Sequence, residues 1–221
     1  MVAGCGRYQF DRSNPDAAGL DDASSDGSIV PAPIHRYQLA GTYADDLGGP
    51  ALTGKGGTLG SGGYRFVANQ GLELADAMPV DIYTVDVRFA FDLVDGYRKL
   101  LDFKALATDE GLYVLNETLN FVADAASHTE FHGRALFATG TMAEVTLTRA
   151  ADGTVTGYVN RGDPLTFADT GAVAAFARAR HVANFGIDDT PTFPNEASGG
   201  VIRSITVWDV ALTPTQVAAL P

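Results

Sequence analysis

The sequence predicts an all-β protein, a two-sheet antiparallel β-sandwich with one short helix at its C-terminus. Three observations predict it. From His35 onward apolar residues recur with a period of two, as on half-buried strands. Turn signals such as LNET at 115–118 and AADG at 150–153 fall between those runs at hairpin spacing. The 25 glycines and 10 prolines in 221 residues favour many turns over long helices.

Residues 1–33 stand apart from the rest. From Asp11 to Pro33 the chain is rich in Asp, Ala, Ser, Gly and Pro, with almost no large apolar side chain. Such a segment cannot bury enough surface to offset its ordering entropy, so it reads as a disordered acidic tether. The domain is expected over 34–221. Its clearest strand is IYTVDVRFAFD, where Tyr83, Val85, Val87, Phe89 and Phe91 share one face and Thr84, Asp86 and Arg88 the other. YRFVANQGLEL precedes it; KLLDFKAL, GLYVLN, TLNFVAD, AEVTLTR, TVTGYVN, HVANFGID and VIRSITVWD follow. FARAR after Ala174 could form one helical turn. The helix at 214–220 is well specified: Thr213 caps it, Pro214 suits its first position, and Gln216 completes a capping box. Leu212 and Val217 have hydrophobic-staple spacing. Isolated helices need about 12–15 residues, so this one must pack on a sheet, through Val217 and Leu220.

Net charge is −12, from 27 acidic and 15 basic residues. That argues against nucleic acid and against electrostatic docking on anionic lipid. No apolar run approaches the roughly 20 residues of a membrane helix. With one cysteine there is no internal disulfide.

Two segments together resemble the laminin-G-like members of the concanavalin A-like lectin and glucanase superfamily. One is the hairpin AEVTLTRAADGTVTGYVN. The other is the closing strand and helix carried by Gly200, Ile202, Ile205, Val207, Trp208, Ala211, Leu212 and Thr213. The resemblance covers about His35 to Leu220 and implies a jelly-roll sandwich whose last helix covers a sheet edge or corner. The chain departs from it where the family often has Trp-His before the hairpin, since Thr141–Glu144 stand there. Separately, Val2–Cys5 reads VAGC and resembles the bacterial lipobox, although the charged and apolar regions that precede a lipobox are not among the four residues before Cys5. That resemblance implies lipidation at Cys5 and, with Gly6 following, an outer-membrane lipoprotein; secretion is the other extracytoplasmic outcome. Any membrane contact is expected through that anchor alone.

The superfamily's glucanases carry Glu-x-Asp-x-Glu on one strand. Here Glu73, Glu110, Glu117, Glu130, Glu144 and Glu196 are isolated, so catalysis is not expected unless carboxylates from separate strands converge. Asp86 and Asp92, either side of Arg88, read as a surface ladder. His128 and His132 lie four apart in a loop of solvated character. GGTLGSGG lacks the Lys-Ser/Thr of a phosphate cradle and reads as a hairpin or loop. Asn116-Glu117-Thr118 reads as a turn, and Arg161-Gly162-Asp163 as an exposed turn.

The candidate metal site is FGIDDTPTFPNEASGG. Asp188, Asp189 and Glu196 gather hard oxygen ligands of the kind calcium takes. The competing reading has the aspartates capping turns and Glu196 paired with an arginine such as Arg203. The sequence therefore supports a non-catalytic cell-surface binding module for glycan or a surface protein, with calcium as the candidate cofactor. A glycan-active hydrolase and a purely structural domain are the alternatives. Tyr83, Tyr113, Tyr158 and Trp208 are the aromatics available to a sugar, though the periodicity puts Tyr83 on the apolar face and Trp208 has a place in the core as its other reading.

Overall fold

The computed structural model describes residues 1, 29–123, 136–189 and 195–221. Cys5 and the rest of VAGC, most of the expected tether, and the histidines at 128 and 132 lie outside the described residues.

The strands in chain order are β1 (His35–Tyr37), β2 (Thr53–Lys55), β3 (Thr58–Gly60), β4 (Gly63–Phe66), β5 (Gly71–Leu74), β6 (Tyr83–Phe91) and β7 (Tyr97–Asp102). Then come β8 (Gly111–Leu115), β9 (Thr118–Val122), β10 (Ala143–Arg149), β11 (Thr154–Val159), β12 (Leu165–Ala168), β13 (Ala183–Phe185), β14 (Gly200–Trp208) and the helix α1 (Pro214–Ala218). They form two antiparallel sheets packed as a sandwich. The eight-stranded sheet runs β12-β11-β10-β6-β14-β4-β3, with β1 also paired to β14; the six-stranded sheet runs β2-β5-β13-β7-β8-β9.

The periodicity of β6 holds residue by residue. Tyr83, Val85, Val87, Phe89 and Phe91 are each at most 2% exposed and sit in the core between the sheets. Phe89 and Phe91 meet edge to face at 4.7 Å, and Phe103 meets Phe176 at 4.7 Å. These are distances at which aromatic pairs add to simple burial. YRFVANQGLEL proves to be two strands in opposite sheets, β4 and β5. Asn69 turns the chain between them at φ 62°, and Tyr64 and Phe66 face the same core as Leu72 and Leu74. The LNET turn is a two-residue hairpin with Asn116 and Glu117 at φ 46° and 66°. GGTLGSGG supplies β3 and the hairpin into β4. FARAR makes one turn, in which the Arg180 and His181 amides both donate to the Ala177 carbonyl, while Phe176 and Ala177 donate their own amides to the Val80 and Phe103 carbonyls.

The closing helix has the expected capping box, with Thr213 and Gln216 exchanging side chain–backbone bonds of 2.9 and 3.3 Å. It packs on the outer face of the eight-stranded sheet. There Val217 and Leu220 join Tyr158, Trp208 and Leu212 in a second, small apolar cluster. Thr84, fully buried under it, donates to the Val210 carbonyl and accepts from the Leu212 amide. The stretch 29–33, inside the expected tether, runs alongside: Trp208 Nε1 donates to the Pro31 carbonyl and Gln216 Nε2 to that of Ile29.

Candidate functional site

Covering only part of that outer face leaves a groove beside the helix. Its floor is set by strand register. Across one row Arg36, Thr206, Asp86 and Thr146 are neighbours on β1, β14, β6 and β10; across the next, Ser204, Arg88 and Glu144 are neighbours. The segment at 30–33 and the C-terminal Leu220 and Pro221 wall it in, and its volume is about 520 Å³. That is within the usual range for small-ligand sites. A second depression of about 230 Å³ extends it toward Gly62 and Gly63, sharing Gln38, Arg88 and Ser204 with the first.

β14 reaches this face through a bulge. Ile202 pairs with Phe89 and Ser204 with Arg88, so Arg203 is the extra residue. Alternation resumes after it, which leaves both Arg203 and Ser204 outside while Ile202 and Ile205 stay in the core. The bulge was written in the sequence as Ile202, Ile205 and Val207, apolar residues spaced by three and then two.

Glu144 lies opposite Arg88 in register but gives both its oxygens to Arg161, at 2.8 Å from Nε and 3.2 Å from Nη2. Arg161 also donates to the Leu220 and Pro221 carbonyls, tying the C-terminus to the sheet. Burial, then the nearby Glu144 charge, pushes the Asp86 carboxyl up to about 7, although the Thr146 hydroxyl donates to it at 2.7 Å. Asp92, its expected ladder companion, pairs instead with Arg65 at 3.7 Å.

Two expectations are corrected here. Arg161 is half-buried and engaged on three partners, so Arg161-Gly162-Asp163 does not present its arginine as an exposed turn. Tyr113 and Tyr158 are buried, at 0% and 4% exposed, alongside Tyr83 and Trp208, whose reading as core holds. Trp208 alone of them lines the main groove, and it belongs to the small core under the helix.

The second site lies on the other sheet. Asp109, Asp188 and Glu196 each bring one carboxylate oxygen within 4.8 Å of the others, a group that could hold a metal ion. Asp188 and Glu196 are thus brought together as the sequence suggested. Asp189 is not one of that trio; its Oδ1 is 2.6 Å from Lys99 Nζ. Lys99 is completely buried, with Asp102 at 3.8 Å and Asp188 at 3.9 Å as well. Three carboxylates (Asp102, Asp188 and Asp189) therefore lie within 4 Å of one ammonium, and Asp109 and Glu196 join the cluster through Asp188. Gly111 makes room for it, since a Cβ there would stand 2.9 Å from the Leu101 carbonyl and 3.0 Å from Lys99 Cε.

Burial pushes Asp188 up to about 6 and Glu196 up to about 7, with Asp189 adding to the first and Asp109 to the second. Asp102 is raised by burial too. Asp188 Oδ2 accepts from the Glu196 amide at 3.2 Å, while its buried Oδ1 has no hydrogen-bond partner. Tyr113 donates to Asp109 Oδ1 at 2.9 Å. An all-oxygen set with an orphaned carboxylate oxygen suits a hard divalent cation. No Glu196–Arg203 pair forms among the described residues. Sequence reasoning missed Asp109 and Lys99, which come from a loop and a strand far from 186–200; their contacts arise only when β7, β8 and β13 are paired.

No protein-family model matches the chain, and no curated protein matches it. Solved structures do share the fold. Domain 4 of AbnA, a GH43 extracellular arabinanase from Geobacillus stearothermophilus, superposes with TM-score 0.60 at 19% identity, over 83% of this chain and 95% of that one. The CBM40 of the Ruminococcus gnavus IT-sialidase gives 0.53 at 13% identity, over 74% and 98%. The Trypanosoma rangeli sialidase gives 0.61 at 17%, where the match spans 86% of this chain and only 33% of that longer one. At these identities the likeness is one of β-sandwich fold.

Proposed function

We propose that this protein is a non-catalytic glycan-binding module acting outside the cytoplasm, with the saccharide lying in the groove on the eight-stranded sheet. The observation that carries the proposal is the groove: about 520 Å³, floored by outward side chains of four strands and rich in hydroxyl, amide and guanidinium donors. Hydroxyl-rich ligands are oriented by convergent polar groups of this kind. The fold relatives lend support, since AbnA domain 4 is in complex with arabinotriose and the CBM40 is bound to α2,3-sialyllactose. The closing strand and helix support a place among laminin-G-like sandwiches. No helix among the described residues is long and apolar enough to cross a membrane; VAGC and the acidic stretch after it support a lipid anchor at Cys5. Asp109, Asp188 and Glu196 support a calcium ion with a structural role, in the other sheet from the groove. The experiment is a glycan array probed with the whole chain: binding to a defined set of oligosaccharides supports the proposal, and binding to surface proteins alone overturns it.

A hydrolase is the second reading, favoured by one observation. Asp86 is raised to about 7 and Glu144 sits on the adjacent strand, so two carboxyl groups face the groove side by side. Against it, Arg161 occupies both Glu144 oxygens and leaves no free nucleophile or base. Release of reducing ends from array-positive saccharides, abolished by Asp86→Asn, would establish catalysis.

A further inference from the structure

Resting on that reading, we infer that the groove selects a short saccharide carrying a carboxylate, in preference to a neutral sugar or a long polyanion. The charge arrangement points to it. The main groove and its extension hold Arg36, Arg88, Arg161 and Arg203 against Asp86 and Glu144. Glu144 is used up by Arg161, and Asp86, raised to about 7, is protonated in part at neutral pH. Arg36, Arg88 and Arg203 make no ion pair with a described residue. Register makes the case of Arg88 clear: its cross-strand acid is diverted to Arg161, leaving an exposed guanidinium between Ser204 and Glu144. The bulge in β14 adds Arg203 to the same face.

A site for neutral sugar would be expected to offer an aromatic ring for stacking. The aromatic lining the main groove is Trp208, which is 4% exposed. Planar guanidinium groups instead match carboxylate geometry two bonds at a time. The size limit comes from the rest of the molecule. At net charge −12 the surface repels a polyanion wherever it extends past the groove by more than a Debye length, about 8 Å in physiological salt. One carboxylate on a short chain feels mainly the nearby arginines.

The test is calorimetric titration of the whole chain with sialyllactose and trigalacturonate, with their carboxyl-reduced forms, and with heparin and long hyaluronan. The expected result is binding of at least one acidic oligosaccharide about tenfold or more tighter than its reduced form, the range of a hydrogen bond to a charged group. Arg88→Gln and Arg36→Gln should each weaken it by about tenfold while leaving thermal melting unchanged. Equal binding of the acid and its reduced form overturns charge selection while leaving the groove as a glycan site, as does binding of neutral array saccharides alone. Tighter binding of heparin or long hyaluronan overturns the preference for a short acid. Absence of binding to any saccharide, array included, overturns this inference together with the glycan-binding reading.

Discussion

Replacing Lys99 by methionine removes the one ammonium from the buried carboxylate cluster. At an effective dielectric of about 20, unit charges separated as Lys99 and Asp189 are, at 2.6 Å, attract by about 6 kcal/mol, and Asp102 and Asp188 near 3.8 and 3.9 Å by about 4 each. Most of that gross attraction is offset by the cost of burying the charges. Breaking one partner out of a buried pair leaves a net loss of about 3–5 kcal/mol. For a chain of this size each kcal/mol lowers the melting temperature by about 2–4 °C. Lys99→Met should therefore melt about 6–20 °C lower, measured by circular dichroism or calorimetry at pH 7. Adding Asp189→Asn to it should recover part of the loss, because the carboxylate that stood nearest the ammonium is then neutral. A loss below about 1 kcal/mol, or a double variant no better than the single one, would mean that the cluster is solvated or its carboxylates already protonated, and that Lys99 does not hold it together.

Three further outcomes are expected. Calcium at a hundredfold excess over Kd should stabilise the protein by about 2.7 kcal/mol; chelator should remove that gain, and Asp188→Asn with Glu196→Gln should make calcium and chelator melts coincide. Asp86 has a folded value near 7 against an ordinary 3.8. The folded chain thus holds a proton the unfolded chain has lost between about pH 4 and pH 7, so stability falls as pH rises through that window and is flat above it. Asp86→Asn, always neutral, should make the fall shallower in denaturant titrations run from pH 4 to pH 8, the remainder coming from Asp188 and Glu196, raised to about 6 and about 7. Gly111→Ala, whose Cβ would press on the Leu101 carbonyl and Lys99, should cost about 1–3 kcal/mol in urea unfolding; an unchanged midpoint would show that β8 can shift aside.

Most of the sandwich was legible because its signals are local. The alternation of Tyr83 to Phe91, the LNET turn and the Thr213–Gln216 capping box each lie within one short window, and each was found in place. What was not legible depends on which strands become neighbours. Nothing near Asp188 in the chain indicates that Asp109 shares its site, nor near Glu144 that Arg161 takes its carboxylate from Arg88. Short edge elements such as β1, β2 and β12 carry too few residues to show a period. The split of YRFVANQGLEL between two sheets was hidden because Tyr64, Phe66, Leu72 and Leu74 all face one core, so the apolar pattern runs on across the turn. That Tyr113 and Tyr158 are buried as well as Tyr83 and Trp208 was not legible, because their burial is decided by the loops and the helix laid over them.

The most direct test of the account fills the groove without touching its charges. Thr206 lies on the groove floor between Arg36 and Asp86, and a Thr206→Trp variant would occupy the space a sugar ring needs. The measurement is the affinity of the whole chain, as wild type and as this variant, for the saccharide it binds best on a glycan array, with melting curves to confirm that both are folded. Clear binding by the wild type is expected, with at least a hundredfold loss in a variant that still melts cooperatively, equivalent to about 2.7 kcal/mol. Undiminished binding by the folded variant would place the ligand elsewhere on the sandwich and contradict the account.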